Sequence, residues 1–572
     1  MGPRRVSLRL PPPSLGQRVL VLAVLGFSVG SLVSLHSLTG GNDWSIIGSS
    51  TINFRYDSGS PVLDHVIAKR QEEPSHEAQR AYLKQHASVL SADQSQVVAM
   101  AKHAWDAYRN HSSWLDLLDV THQRGVTLYD HDLALTAVDS LDTLLVMGLH
   151  DEFDEASNWI KTHLRSRLFA PGNVSFSETS TRLLGGLLAA FHLSGSAKYS
   201  RTQVGYELTT SSVQMYIASE LGDALEGGFT CGIFVPCRDV DLERRRGVHN
   251  PSLAEASSFQ LEFRFLNQLA RKRGVDELLD NFNSLSFELT DVYKDGLVPV
   301  TINWDTNRVV ASNVSFGALG GTYYEYQLKQ WLQTGKRNDA LKQGYLQAIK
   351  GLQEKMIDHT SPSGLPFIGL LPTNGTLKRR MDHASCYMPG LLALGFHHGL
   401  PEEHLKLAKE LMETCVQMYL RSASMLAAEV VHFSQPSATA SFSNEFTVSD
   451  RDDVNNLGPE TVESLMVLYR VTKKDKYRQY GRVIMNAFEN HSKVRHVGAI
   501  LPDKNSSVPT GGYRSLRHVF AGVSEPYAST MESSFLSETL KYLFLLFTDD
   551  GEILSLDKIV FNTRGHGFPI SL

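Results

Sequence analysis

Cysteine is scarce in this chain: four stand in 572 residues, at positions 231, 237, 386 and 415. No CxxC pair and no Cys/His cluster has structural-zinc spacing, so a zinc-stapled fold is excluded. No Lys/Arg run reaches the density of a phosphate-binding patch. The formal net charge is a mild -6, and nucleic acid is excluded as a partner. Alternating β-branched runs are few, and the short candidates 297–302 and 308–311 read as hairpin strands set in loops. What remains is a chain of ordinary composition, 42% hydrophobic and 20% charged. It is long enough for one large domain behind a leader, or for two or three average domains.

The first 18 residues carry Arg4, Arg5, Arg9 and Arg18 and no acid. The uncharged stretch 19–35 follows, about 17 residues or roughly 25 Å as a helix. That length suits a short membrane span better than the core of a cleaved signal peptide. The basic flank precedes it, which places the rest of the chain on the luminal side of a single-pass type II anchor. The expected division is a cytosolic tail over 1–18, an anchor over 19–38, a polar stem over 39–92 and one domain over 93–572. Asn110, Asn173, Asn313, Asn374, Asn490 and Asn505 each begin an Asn-x-Ser/Thr acceptor for N-linked glycan. An even number of cysteines also suits an oxidising compartment, and four allow three pairings.

From about Asp93 one pattern repeats to the end. An apolar helix turns into an amphipathic one, with apolar cores at 136–149, 180–195, 257–270, 322–335, 386–399, 460–472 and 534–547. Each is apolar on nearly all faces, as a helix buried on both sides must be. Seven such pairs predict an all-α (α/α)7 barrel, a closed toroid of inner helices wrapped by outer ones. The rival is an open solenoid. Long irregular inserts at 221–250 and 425–456 favour the toroid, because such loops shape a pocket.

Acids recur near the starts of these inner helices: Asp139 and Asp142, Glu178, Glu255 and Glu262, Glu325, Glu460 and Glu463, Glu532 and Glu538. Singly, each reads as an acid drawn to a helix start by the macrodipole, and Asp139 and Asp142 fit that reading best. Glu178 and Arg182 stand at i and i+4 and form a natural pair. Together, on one rim of a ring, the acids would converge. Convergent carboxylates with aromatic neighbours suit sugar hydrolysis, and they also suit a hard cation.

The segments ETSTRLLGGLLAAFHLSG, LAEASSFQLEF, YYEYQLKQWLQTGK, DHASCYMPGLLALG, GPETVESLMVLYRVT, SETLKYLFLLF and VFNTRGHGFPI resemble, in order, the blocks of class I α-1,2-mannosidases, glycoside hydrolase family 47. The resemblance implies an inverting, calcium-dependent enzyme that trims mannose from high-mannose N-glycans in the endoplasmic reticulum or Golgi. It makes Glu178 the general acid and Glu460 the general base. Arg182, Glu255, His383, Glu463 and Glu538 become substrate-binding or pocket residues, and Thr563 the calcium ligand. It pairs Cys386 with Cys415, leaving Cys231 and Cys237 as a local bridge or two thiols. The chain departs from the family at five places. Gly321 stands where the family has a catalytic Asp, and Leu319 and Gly458 where it has Arg. Ser534 replaces a Phe and Arg564 a Glu, the last placing a positive charge next to the expected calcium. A second expectation follows from these departures: a mannosidase-like chain that binds glycans or glycoproteins in quality control without cleaving them.

Overall fold

The computed structural model describes residues 90–194, 210–229, 236–270, 279, 295–303, 308–436, 441–495 and 511–570, apart from 521, 523 and 550–552. The predicted tail, anchor and nearly all of the stem lie outside the described residues, as do Cys231 and Asn505. Among the described residues no helix is long and apolar enough to cross a membrane.

The body opens at Ser91, whose hydroxyl accepts from the Gln94 backbone while the Gln94 side chain accepts from the Ser91 backbone. This capping box starts helix Ala92–His111. From there, inner and outer helices alternate through most of the described residues. Among the described residues the inner stretches are 135–146, 176–194, Gln260–Ala270, Gly321–Gln333, 383–397, Glu460–Thr472 and 535–546. Each packs against the next, and the last returns to the first, so the ring closes. The seven predicted apolar cores are these seven stretches. All ten residues of Gly185–Ser194 are buried. Such a sequence has no solvent face to offer and needs neighbours on every side.

The outer helices show the complementary pattern. In Asp339–Lys355 the buried positions Leu341, Gly344, Tyr345, Ala348, Ile349 and Leu352 recur at three- and four-residue spacing. That is one apolar stripe, and it faces Gly321–Gln333. The disulfide Cys386–Cys415, with Cα atoms 5.9 Å apart, ties inner 383–397 to outer Glu402–Leu420, as the resemblance implied. Cys237 is also disulfide-bonded. The predicted strands over 297–302 and 308–311 shrink to a two-residue ladder, Ile302–Asn303 against Arg308–Val309.

The ring is filled by the chain's own C-terminus. Strands Ile559–Phe561 and Gly567–Pro569 form a hairpin whose turn enters the barrel. Asn562 donates from Nδ2 to Thr181 O (2.9 Å) and to Glu262 Oε1 (2.7 Å). Phe568 packs on Phe265, and Lys541 Nζ donates to Gly565 O at 2.8 Å. The hairpin therefore touches inner helices from several sides and sets the floor of whatever lies at the other mouth. Five of the six sequon asparagines, Asn110, Asn173, Asn313, Asn374 and Asn490, are exposed.

Candidate active site

Where the described residues follow an inner helix into an outer one, the outer helix returns, so these inner helices run in one direction and their N-terminal ends share a mouth. The acids gather there because a helix start favours negative charge. Glu178 closes the first turn of the 176–194 helix and His383 begins 383–397. Glu460 begins Glu460–Thr472. Arg182 and Glu538 lie in two π-helical turns, Thr179–Leu184 and Phe535–Leu540. π-turns often mark functional positions, and these two side chains meet across the barrel, Arg182 Nη1 to Glu538 Oε1 at 3.0 Å.

Arg182 is the hub. Its Nη1 also donates to Asp139 Oδ2 at 2.9 Å, and its Nε donates to Glu178 Oε2. The predicted i, i+4 pair is therefore present. Arg564 reaches the same carboxylate from the hairpin turn, Nη2 to Glu178 Oε1. Burial alone would raise the Glu178 carboxyl, but Arg182 and Arg564 together outweigh it and hold the group at about 2. The expectation that Arg564 would oppose a cation beside Thr563 meets a different geometry: its guanidinium is turned to Glu178.

Across the mouth, His383 Nδ1 lies 3.2 Å from Glu460 Oε2. Tyr419 and Thr461 flank the other ring nitrogen, Nε2, at 2.9 and 3.0 Å. Burial works against both charges, yet the pair holds Glu460 below the usual carboxylate range and His383 above the usual imidazole range. Gly458 makes room for this pair, since a Cβ there would stand 2.7 Å from Glu460 Oε2. Burial pushes Glu463 up to about 7 against the pull of Lys329, whose Nζ is 3.5 Å from its Oε1. Burial likewise raises Glu538 to about 6 in spite of Arg182.

Glu178, Arg182, His383, Glu460, Glu463 and Glu538 are thus linked by contact or by mutual electrostatics. Thr563 sits in the hairpin turn among them, its N–H donating to the Tyr326 hydroxyl at 3.4 Å. Glu255 is placed differently: its carboxylate accepts from Ser252 N at 2.7 Å in a capping box, on a segment beside Phe176–Glu178. Asp139 and Asp142 are not surface caps. Both are fully buried; His566 lies 3.0 Å from Asp139 and 3.3 Å from Asp142, and Lys541 lies 2.7 Å from Asp142. Ser534 leads into Phe535–Leu540, and Leu319 is exposed with φ +66°.

Two participants escape a reading of helix starts. Glu429 lies in the long 425–456 insert, its Oε1 accepting from Asn456 N at 2.9 Å, and its charge is felt by His383. Lys329 lies on the third turn of its helix, 2.5 Å from Glu325. The i, i+4 spacing of Glu325 and Lys329 was the available signal.

The family model described as glycosyl hydrolase family 47 matches residues 100–570. The human endoplasmic reticulum mannosyl-oligosaccharide 1,2-alpha-mannosidase is 38% identical over 494 residues, which cover 84% of this chain and 64% of that protein. Mannosyl-oligosaccharide 1,2-alpha-mannosidase MNS3 from Arabidopsis thaliana is 37% identical over 517 residues, covering 84% of this chain and 79% of that protein. The chain thus spans less than two thirds of the human relative. The solved alpha-1,2-mannosidase from Trichoderma reesei superposes with a TM-score of 0.72 at 22% identity, over 84% of this chain and 99% of that one, a likeness of fold.

Proposed function

The chain belongs to glycosyl hydrolase family 47, and from that premise we propose that it hydrolyses α-1,2-linked mannose on high-mannose N-glycans with inversion. One observation carries the reading: a carboxylate at Glu178 and another at Glu460 face the same mouth, the first held by two guanidinium groups and the second by the His383 imidazole. In an inverting hydrolysis one acid delivers a proton to the leaving oxygen, and a base takes one from the attacking water. Glu460, kept ionised beside His383, is the base. Its carboxylate receives the water proton, and His383, lying against Oε2, holds the group toward the sugar. Glu178 serves the leaving oxygen. Because Arg182 and Arg564 keep it ionised, a water it binds hands that proton over, and the proton that Glu460 takes from the attacking water returns through solvent to replace it. Glu463 and Glu538 hydrogen-bond sugar hydroxyls, and Glu255 marks the edge of the pocket.

The hairpin turn offers a hard cation oxygen donors at Thr563. Thr563 supplies a hydroxyl and a carbonyl, and Glu538 lies against the same turn, its Cγ 3.5 Å from where a Cβ on Gly565 would stand. Among the described residues no three His, Cys, Asp or Glu side chains converge as a direct metal shell. Calcium therefore fits with Thr563 as its protein ligand and water between it and the carboxylates. Bound there, it would supply a fixed positive charge that orients sugar oxygens.

The basic segment before 19–35 and the exposed sequon asparagines support a type II anchor with the barrel luminal, in the endoplasmic reticulum or Golgi. The Arg182–Glu178–Arg564 clamp favours a second reading, glycan retention with slow turnover, because an acid held at about 2 is a poor donor at neutral pH. The test is free mannose released from a high-mannose N-glycan by the purified chain, with calcium and with chelator, beside glycan binding to the same protein. Release supports hydrolysis, binding without release supports retention, and neither rejects both.

A further inference from the structure

Gly321 has an ordinary negative-φ backbone, so its glycine is not there for conformational freedom. It is there for space. A Cβ at position 321 would stand 2.8 Å from Phe316 O and 3.1 Å from both Cε1 and the hydroxyl of Tyr387. Neither neighbour can retreat cheaply. The Phe316 ring stacks on Tyr324 at 3.9 Å, and the Tyr324 hydroxyl is held by both backbone groups of Val298. Tyr387 follows Cys386, whose sulfur is bridged to Cys415 and whose carbonyl accepts from Ser464 Oγ. Across the gap, the Tyr387 hydroxyl donates to Gly321 O at 2.9 Å. On its other side Tyr387 lines a cavity of about 20 Å³ shared with Lys329 and Glu463, room for about one water.

We propose that Tyr387 is a positioning residue of this site. Its hydroxyl pins the first turn of Gly321–Gln333, and with it the Glu325–Lys329 pair that faces Glu463, and it can do so only while position 321 has no side chain. Gly321 and Tyr387 are then one coupled unit. A side chain at 321 evicts the hydroxyl, and loss of the hydroxyl releases the helix that presents Lys329.

The proposal rests on the hydrolase reading for its kinetic part only. The experiment is a double-mutant cycle on the full-length protein: Gly321→Ala, Tyr387→Phe and both together. Thermal midpoint and the kcat and KM of mannose release are read for each. Tyr387→Phe should lower kcat at least tenfold with KM within twofold, while its midpoint shifts by a few degrees at most. Gly321→Ala should lose both midpoint and kcat, and the double variant should be no worse than Gly321→Ala alone. Additive losses in midpoint and kcat overturn the coupling, as does a Tyr387→Phe effect confined to KM. If the parent protein releases no mannose, the hydrolase reading fails, and the midpoints by themselves decide whether the two residues are coupled.

Discussion

Arg564 Nη2 donates to Oε1 of Glu178 while Arg182 Nε donates to Oε2, so one carboxylate is gripped by two guanidinium groups from opposite ends of the chain. Arg182 is also committed to Asp139 and Glu538 and cannot move alone. Arg564 has no such network. Its side chain is 31% exposed, and Glu178 is its one ion-pair partner among the described residues. Of the two cations, it is the one that can be removed without collapsing the interior.

Arg564→Gln should therefore let the Glu178 carboxyl rise from about 2 toward the usual carboxylate range. A more basic carboxylate resupplies the proton of its bound water more readily, so mannose release should increase by about tenfold or more near pH 6. The check is a pH–rate profile for both proteins. An unchanged profile removes Arg564 from the account of slow turnover.

Glu460→Gln tests the other half of the pair. Without a carboxylate beside His383, the attacking water loses its proton acceptor, and kcat should fall by about two orders of magnitude or more. The fold should stand, because Glu460 is 27% exposed and the glutamine keeps an oxygen for the ring. Circular dichroism and a thermal midpoint close to the parent's would separate lost chemistry from lost structure.

The seven inner helices were legible because burial on both sides leaves apolar residues on nearly all faces, as in Gly185–Ser194 and in Glu460–Thr472 beyond its acidic first turn. The mouth was less legible. That Glu178 and Arg182 would pair follows from i, i+4 spacing, but their partners Asp139, Glu538 and Arg564 lie 43, 356 and 386 residues away from them. Local rules assigned Asp139 and Asp142 to capping because charge near a helix start is commonly solvated. Only the closed ring brings Arg182, His566 and Lys541 against them. Arg564 was legible as a charge beside Thr563, not as a side chain turned toward Glu178. The need for glycine at 321 was invisible too, since it depends on Tyr387, which arrives from the next inner helix.

Calcium should stabilise the folded chain if Thr563 is its ligand. A cation bound at a hundred times its dissociation constant adds about 2.7 kcal/mol to folding stability. The thermal midpoint of the parent protein should therefore drop on addition of chelator and recover with excess calcium. Thr563→Ala should start at the lower midpoint and respond to neither. A parent midpoint indifferent to chelator would remove the metal from this site.

Glu262 predicts how stability responds to pH. It is fully buried. Its Oε1 accepts from Asn562 at 2.7 Å and Tyr326 at 3.0 Å, while Oε2 has no hydrogen-bond partner. Burial outweighs those two donors and raises the carboxyl from 4.5 to about 7. Between those two values the folded chain holds a proton that the unfolded chain has released. Stability from this group is thus complete below about 4.5 and lost as pH climbs to about 7, about 3 kcal/mol across the window. Glu262→Gln keeps an oxygen for Asn562 and Tyr326 and has nothing to titrate. The stability difference between variant and parent, measured by denaturant unfolding at pH 5, 6, 7 and 8, should shift progressively in favour of the variant and level off above 7. A difference that stays constant over that range would mean the carboxylate ionises inside the barrel at its ordinary pKa, and that the hairpin floor is far wetter than its contacts imply.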